Sequence, residues 1–389
     1  MFGIKEEVWK EKNGLNTASE IYRQNDLWLE TFKIIEDKKE DIKEFLKELE
    51  SKKDTRIIFT GAGTSDYVGK TIVDYLNSKY EHNFESIAST DIVSSPELYL
   101  KEDVPTIFVS FARSGSSPES IITFDLGEQI IKDVKHIFIT CNENGKMERL
   151  SREHDNVLLL LMPKETHDKG FAMTSSFTNM LLAALLTFDI EEIEEKKQAI
   201  QQISQKAKRL MDNSFEKIQE IVDLDYDRNI FLGSGGLKGV AIESALKVLE
   251  LTRGKTVTLS ETLLGFRHGP KSILSDKSLV FAYVSTDSHT YKYDYDLIKE
   301  VYSNPGNHKV ITISETYNKE LDEVSDYNFN ISDEKTDIEE AYLSIMFVIY
   351  AQMFSLLSSL KKGIEPDNPS PDGLVNRVVE GVTLHLYNK

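Results

Sequence analysis

Cysteine is almost missing from this chain: Cys141 is the single one in 389 residues. One thiol excludes an intrachain disulfide, a cysteine-based zinc site and a dithiol redox pair, and it fits a reducing compartment. Positive charge is scarce as well. Lys and Arg number 46 against 65 Asp and Glu, a formal net charge of −19, which repels a nucleic-acid backbone and an anionic membrane surface. An anionic substrate must then be caught by local dipoles and a few placed cations. The N-terminal MFGIKEEVWKEKNG has neither an apolar core nor a small-residue cleavage site, so no secretory signal is expected there and a cytoplasmic location is. Low-complexity linkers are lacking too. Long uncharged apolar runs are rare, and one, Ala341 to Leu360, reaches about the length that crosses a bilayer. It carries Ser344, Tyr350, Gln352, Ser355, Ser358 and Ser359, and no second span accompanies it, which favours a buried or interface helix.

What is present reads as two α/β domains. The length exceeds what one core usually organises, and 40% hydrophobic against 29% charged residues leaves ample apolar material. The first fifty residues read as helical around Trp28, Phe32, Ile35, Phe45 and Leu46. Strand-like runs follow in RIIFTGAG (56–63), PTIFVSFA (105–112), KHIFIT (135–140) and NVLLLLMP (156–163), with helical patterns between them and an apolar helix, FTNMLLAALLTF, after the last. Such alternation predicts a parallel sheet covered on both faces. The second half repeats the order in NIFLGSGG (229–236), SLVFAYVS (278–285), KVITIS (309–314), YNFNIS (327–332) and the helix from Ala341. An internal duplication is expected, joined by a charged helix over Ile190 to Leu224.

In an open parallel sheet, ligands bind beyond the carboxyl ends of the strands, where helix N-termini face anions. Two turns of the first half suit a phosphate. GAGTS (61–65) offers glycines for close approach and the hydroxyls of Thr64 and Ser65. ARSGSSPES (112–120) offers Arg113, Ser114 and Ser117 around Gly115, with Pro118 opening a helix. The plainer alternative is that Ser116 or Ser117 caps that helix, with Glu119 completing a capping box. A dinucleotide site is disfavoured, because Asp66 stands where the third glycine of G-x-G-x-x-G belongs. The second half has no matching serine loop. Its helix GLKGVAIESALKVLELTRGK instead places Glu243, Lys247 and Glu250 on one face among apolar residues. Either this is a surface ion-pair ladder or a buried polar site that tunes a carboxylate toward base work. Downstream, in SETLLGFRHGPKS, His268 is a candidate for proton transfer to a sugar ring oxygen.

The GxGTS turn, the SGSS loop (114–117) and the ESALKVLELT…ETLLGFRHGP block (243–270) resemble the sugar isomerase (SIS) domain family, and in particular the isomerase module of glucosamine-6-phosphate synthase. The C-terminal PDNPSPDGLVNRVVEGVTLH and the R-H-G-P run are similar to the AgaS subfamily of galactosamine- or tagatose-6-phosphate deaminases and ketose/aldose isomerases. The resemblance implies two tandem SIS domains, each a mostly parallel sheet in a three-layer flavodoxin- or Rossmann-like α/β sandwich. It divides the chain into N-terminal helices (1–50), a first domain with the phosphate loops (51–190), a connecting helix (191–225), a second domain with the catalytic helix (226–360) and a tail covering the site (361–389).

The resemblance further implies that Thr64, Ser65, Arg113, Ser114 and Ser117 hold a sugar phosphate. Glu250 is then the base between C1 and C2, Lys247 and Glu243 support the open-chain sugar, and His268 opens the ring from a neighbouring subunit, so a homodimer with shared active sites is implied. No metal and no cofactor is expected, and no glutamine-hydrolysing domain before the module. Where the synthase carries a Schiff-base lysine, Asn376 or Arg377 stands here. The expected substrate is a phosphorylated amino sugar or ketose, with galactosamine 6-phosphate leading. A plain isomerase, a fructosamine-6-phosphate deglycase and a non-catalytic sugar-phosphate sensor are the alternatives, the last disfavoured because no basic helix-turn-helix segment flanks the domains.

Overall fold

A computed structural model of the chain describes residues 1–47, 52, 54–379, 381–383, 385 and 387. Strands β1 (Arg56–Thr60), β2 (Asn83–Ser86), β3 (Thr106–Ala112), β4 (Val134–Thr140) and β5 (Val157–Leu161), apolar runs except β2, form one sheet in the order β2-β1-β3-β4-β5. Every pairing in it is parallel. Strands β6 (Arg228–Gly233), β7 (Val257–Glu261), β8 (Ser278–Tyr283), β9 (Lys309–Ser314) and β10 (Tyr327–Asn330) form a second, also parallel, in the order β10-β9-β8-β6-β7. Counted from β7, its order is that of the first sheet, so the duplication expected from the sequence is a duplication of topology. Strands β1, β3 and β8 are buried at every residue, as a sheet covered on both faces requires.

Two strands escaped the sequence reading. NFES and VTLSE are the strands β2 and β7, at one edge of each sheet and largely accessible. An edge strand is held by ladder bonds on one side and needs no apolar run, so periodicity gives it little signal.

The chain divides into two compact units. One contains the first sheet, with residues 26–168, 173–200 and 372–389; the other contains the second sheet, with residues 1–25, 169–172 and 201–371. In the first-sheet unit the helix Ser175–Phe188 is buried along its whole length. Trp28 and Thr31 reach it through side-chain hydrogen bonds to Thr178 (3.0 Å) and Asn179 (2.6 Å). In the second-sheet unit the helix Glu340–Lys361 is buried from Ala341 through Ser359. This is the uncharged run of membrane-spanning length, and it is the core of that unit. Its polar side chains are satisfied in place: Ser344 and Ser355 donate to carbonyls within the helix, Ser358 meets the Tyr226 hydroxyl at 2.8 Å, and Gln352 accepts from Gln24.

Candidate active site

In the first-sheet unit, β1 and β3 are neighbours whose following connections leave in opposite directions, β1 toward β2 and β3 toward β4. The crevice at such a switch point is where open α/β sheets bind ligands. Both phosphate-type turns open onto it, one after each strand. At Gly61 the backbone passes so close to the next helix that a Cβ would lie 2.6 Å from that of Ser65, so only glycine closes the turn. Thr64 and Ser65 begin the helix Thr64–Lys79 and are both buried. Asp66 follows, its carboxyl raised by burial and countered by Lys70.

The loop after β3 is braced from the turn after β4. Asn142 Nδ2 donates to the Ser114 carbonyl (2.8 Å), the Met147 amide to the Gly115 carbonyl (2.9 Å) and the Lys146 amide to Ser116 Oγ (3.0 Å). Gly115 takes the left-handed conformation, φ +60°. The capping-box alternative does not hold. Ser117 stands at the N-cap of the helix Pro118–Ile130 but accepts no helix amide; its hydroxyl donates to Ser120 Oγ at 2.6 Å. Ser116 is engaged by Lys146 instead. Ser114 and Ser117 are half-buried, placed along a rigid loop with their hydroxyls not consumed by helix capping.

Arg113 is buried and donates from Nη2 to the Arg377 carbonyl at 2.8 Å. The Arg377 guanidinium in turn bonds the Asp168 carbonyl. Asp168, fully buried, accepts with its carboxylate from the Thr174 and Ser176 amides (2.8 and 3.0 Å) and from the Ser176 hydroxyl, which fixes the start of the Ser175–Phe188 helix. The neighbouring His167 ring is pushed down by burial and then by the charges of Arg377 and Arg113, which keeps it neutral. Burial pushes the Cys141 thiol up to about 12, leaving it unreactive. Of the two tail residues at the lysine position, Asn376 is exposed and Arg377 reaches the loop. Asp168 was not singled out by sequence; a lone Asp in the string THDKG carries no periodic or motif signal.

In the second-sheet unit the helix Leu237–Leu251 brings three charged side chains together. Lys247 Nζ lies 2.7 Å from Glu250 Oε2 and 3.3 Å from Glu243 Oε1. The Glu243 and Lys247 side chains are buried, whereas that of Glu250 is 25% exposed. Burial lowers the Lys247 pKa, but the two carboxylates more than offset it and the net direction is upward, so the ammonium persists. This burial excludes a surface ladder. His268 is exposed in the turn between the short helix Leu263–Phe266 and the 3₁₀ turn Pro270–Ile273. Among the described residues its ring makes no hydrogen bond or ion pair with the three, so the ion pairs group Glu243, Lys247 and Glu250 without His268.

The crevice of the second sheet, after β6 and β8, is filled by its own carboxylates. Asp294 accepts from Ser234 Oγ (2.6 Å) and the Ser285 amide (3.0 Å), and Glu340 from Ser285 Oγ (2.8 Å) and the Thr286 amide (2.5 Å). Burial pushes the Asp294 carboxyl up to about 6. The donors that would face a phosphate are thereby occupied, which explains physically why this half shows no hydroxyl cup. Among the described residues no group of three His, Cys, Asp or Glu side chains is arranged to hold a metal ion.

Comparison with known proteins places these features in context. The SIS domain family model matches residues 48–189 and 225–361. The D-galactosamine-6-phosphate deaminase AgaS of Escherichia coli is 39% identical over 375 residues, covering 96% of this chain and 96% of that protein. A solved protein from Clostridium novyi NT, named for tagatose-6-phosphate ketose/aldose isomerase activity, superposes with a TM-score of 0.98 at 46% identity, covering 100% of this chain and 99% of the other. The tagatose-6-phosphate ketose/aldose isomerase of Escherichia coli gives a TM-score of 0.89 at 35% identity, with 97% and 98% covered. With the family pattern matched once on each of two sheets of identical strand order, the chain belongs to the SIS domain family.

Proposed function

We propose that this chain is a hexosamine-6-phosphate deaminase/isomerase that converts galactosamine 6-phosphate to tagatose 6-phosphate and ammonia. The observation that carries the reading is the carboxylate of Glu250, partly exposed and charge-balanced by the buried Lys247. A fixed carboxylate beside a persistent ammonium is suited to carry a proton between adjacent carbons. The relatives named for galactosamine-6-phosphate deamination and tagatose-6-phosphate isomerisation, similar over nearly the full chain, support the substrate class.

In this reading Thr64, Ser65, Arg113, Ser114 and Ser117 hold the phosphate, and His268 protonates the ring oxygen to open the sugar. Glu250 removes the proton from C2 of the open-chain aldehyde and returns it to C1, with the buried Lys247 and Glu243 holding that carboxylate in place from behind and not touching the sugar. The enolamine so formed becomes a C2 imine, and water adds to that carbon to expel ammonia and leave the ketose. No redox change occurs, and no covalent link to the protein is needed. Residues 51–190 thus supply phosphate capture and 226–360 the acid–base groups, with 191–225 joining them and 1–50 and 361–389 as flanking segments. His268, which is exposed and bonds none of Glu243, Lys247 and Glu250 within its own chain, is assigned to the site of a second copy in a cytoplasmic homodimer, without nucleic-acid or membrane partners.

An aldose–ketose isomerase reading uses the same proton transfer and differs in what C2 bears, oxygen or nitrogen; the isomerase names of the solved relatives favour it. Ammonia release measured across a panel of hexosamine, fructosamine and ketose 6-phosphates separates the two. Release from galactosamine 6-phosphate is the expected result, and interconversion of sugars with no ammonia from any amino sugar would overturn it.

A further inference from the structure

We infer that the second-sheet unit carries an additional anion site beside the carboxyl end of β10, suited to inorganic phosphate or a compact phosphomonoester. A cavity of about 230 Å³ lies there, lined by Lys206, Arg209 and Lys217 of the helix Ile193–Asp223 and by Asn328, Ser332 and Asp333 at and after the strand. The three cations are spaced three and eight residues along the helix, which puts them on one face. None of the three is ion-paired with a carboxylate among the described residues. Lys206 donates to the Ser332 hydroxyl at 2.7 Å. Lys217 donates to the Asn328 carbonyl at 3.1 Å and lies 4.9 Å from the Phe329 ring centroid. Asp333, exposed, is the one acid lining the cavity.

This arrangement runs against the rest of the molecule. In a chain of net charge −19, acids are available to neutralise most lysines, and surface lysines such as Lys33, Lys132 and Lys277 are ion-paired. Two lysines held against neutral acceptors and an arginine with no carboxylate partner among the described residues, around a polar hollow, concentrate positive potential where the overall field is negative. The floor is polar as well, with the Tyr350 hydroxyl donating to the Asn330 carbonyl at 2.8 Å. A guanidinium fork with two ammonium point charges matches the oxygens of a phosphate dianion. The volume lies below the roughly 300 to 1,000 Å³ typical of drug-sized ligands, which limits the occupant to a small one. None of these residues has a role in the reaction proposed above, so the site stands or falls independently of it.

The test is phosphate binding by calorimetry at low ionic strength. The full chain carrying Ser65→Ala and Ser114→Ala, with the loop site weakened, should still bind one inorganic phosphate, and adding Arg209→Ala and Lys217→Ala should weaken that binding at least about tenfold, as loss of charge-assisted hydrogen bonds implies. Competition by glycerol 3-phosphate would identify phosphomonoesters as ligands, and its failure would restrict the site to the inorganic ion. Arg209→Ala with Lys217→Ala in the otherwise unchanged chain should remove one of two phosphates while leaving turnover at saturating substrate intact, a measurement that does not depend on the loop variant folding. Absence of phosphate binding to the folded loop variant, or affinity unchanged by removal of the two cations, would overturn the assignment.

Discussion

Lys247 donates a 2.7 Å hydrogen bond to Glu250, one turn further along its helix, while its buried ammonium also lies 3.3 Å from the buried Glu243. One cation therefore faces two carboxylates in an apolar interior, and only Glu250 has access to solvent and hence to a substrate. Glu243 anchors the ammonium from the dry side. Replacing Glu250 by Gln keeps shape and reach but abolishes proton acceptance. Turnover should fall by at least about two orders of magnitude with little change in ligand affinity. Exchange of the substrate C2 proton with deuterated solvent, followed by NMR, should stop; exchange at the wild-type rate would move the base elsewhere.

Phosphate capture is assigned to the braced loop after β3. Arg113→Ala combined with Ser114→Ala removes a charged fork and a hydroxyl, and the affinity for galactosamine 6-phosphate should drop by about 1.5 to 3 kcal/mol. Calorimetry measures it. Circular dichroism should report an unchanged fold, and unchanged affinity would remove both residues from the phosphate site.

His268, exposed and bonded to none of the three charged residues of the Leu237–Leu251 helix, gives a complementation test. Glu250→Gln and His268→Ala proteins, each inactive alone, should regain part of the wild-type turnover when mixed under conditions that exchange subunits. Mass spectrometry establishes the exchange. No recovery with exchange established would assign each site to residues of one chain.

Asp294 supplies a pH dependence. Burial raises its carboxyl pKa to about 6 in the folded chain, against the donors Ser234 and Ser285 and with Glu340 nearby. Its unfolded value is about 3.9, so the native state takes up a proton between the two, and the stability this group contributes is fullest below pH 4 and falls as pH rises through 6. Asp294→Asn does not titrate. From pH 4 to 7 the wild type should lose roughly 2 to 3 kcal/mol relative to this variant in urea unfolding; a constant difference between the two across that range would contradict the assignment.

Much of this was legible in the chain. The β1, β3, β4, β6, β8 and β9 runs announce themselves because a strand buried on both faces must be continuously apolar, and the GAGTS and SGSS turns are visible because the close approach at Gly61 and the left-handed backbone at Gly115 demand glycine. The spacing of Glu243, Lys247 and Glu250 fixes their common face through the helical period. Strands β2 and β7 were not legible, since each is a short edge strand with only one or two apolar residues among polar ones.

The sequence by itself determined the repeated α/β order, the acidic balance and the residue types at each candidate turn, because these follow from local period and composition. Only the tertiary structure decided whether Lys247 is a buried ammonium or part of a surface ladder, since burial depends on what packs over the helix. It also decided that Ser117 bonds Ser120 and caps nothing, that Arg377 rather than Asn376 meets the loop after β3, and that Asp294 and Glu340 fill the second crevice. Each of these depends on contacts between residues brought together by folding, and hydrogen-bond partners and desolvation are properties of that assembled surrounding, which no local pattern encodes.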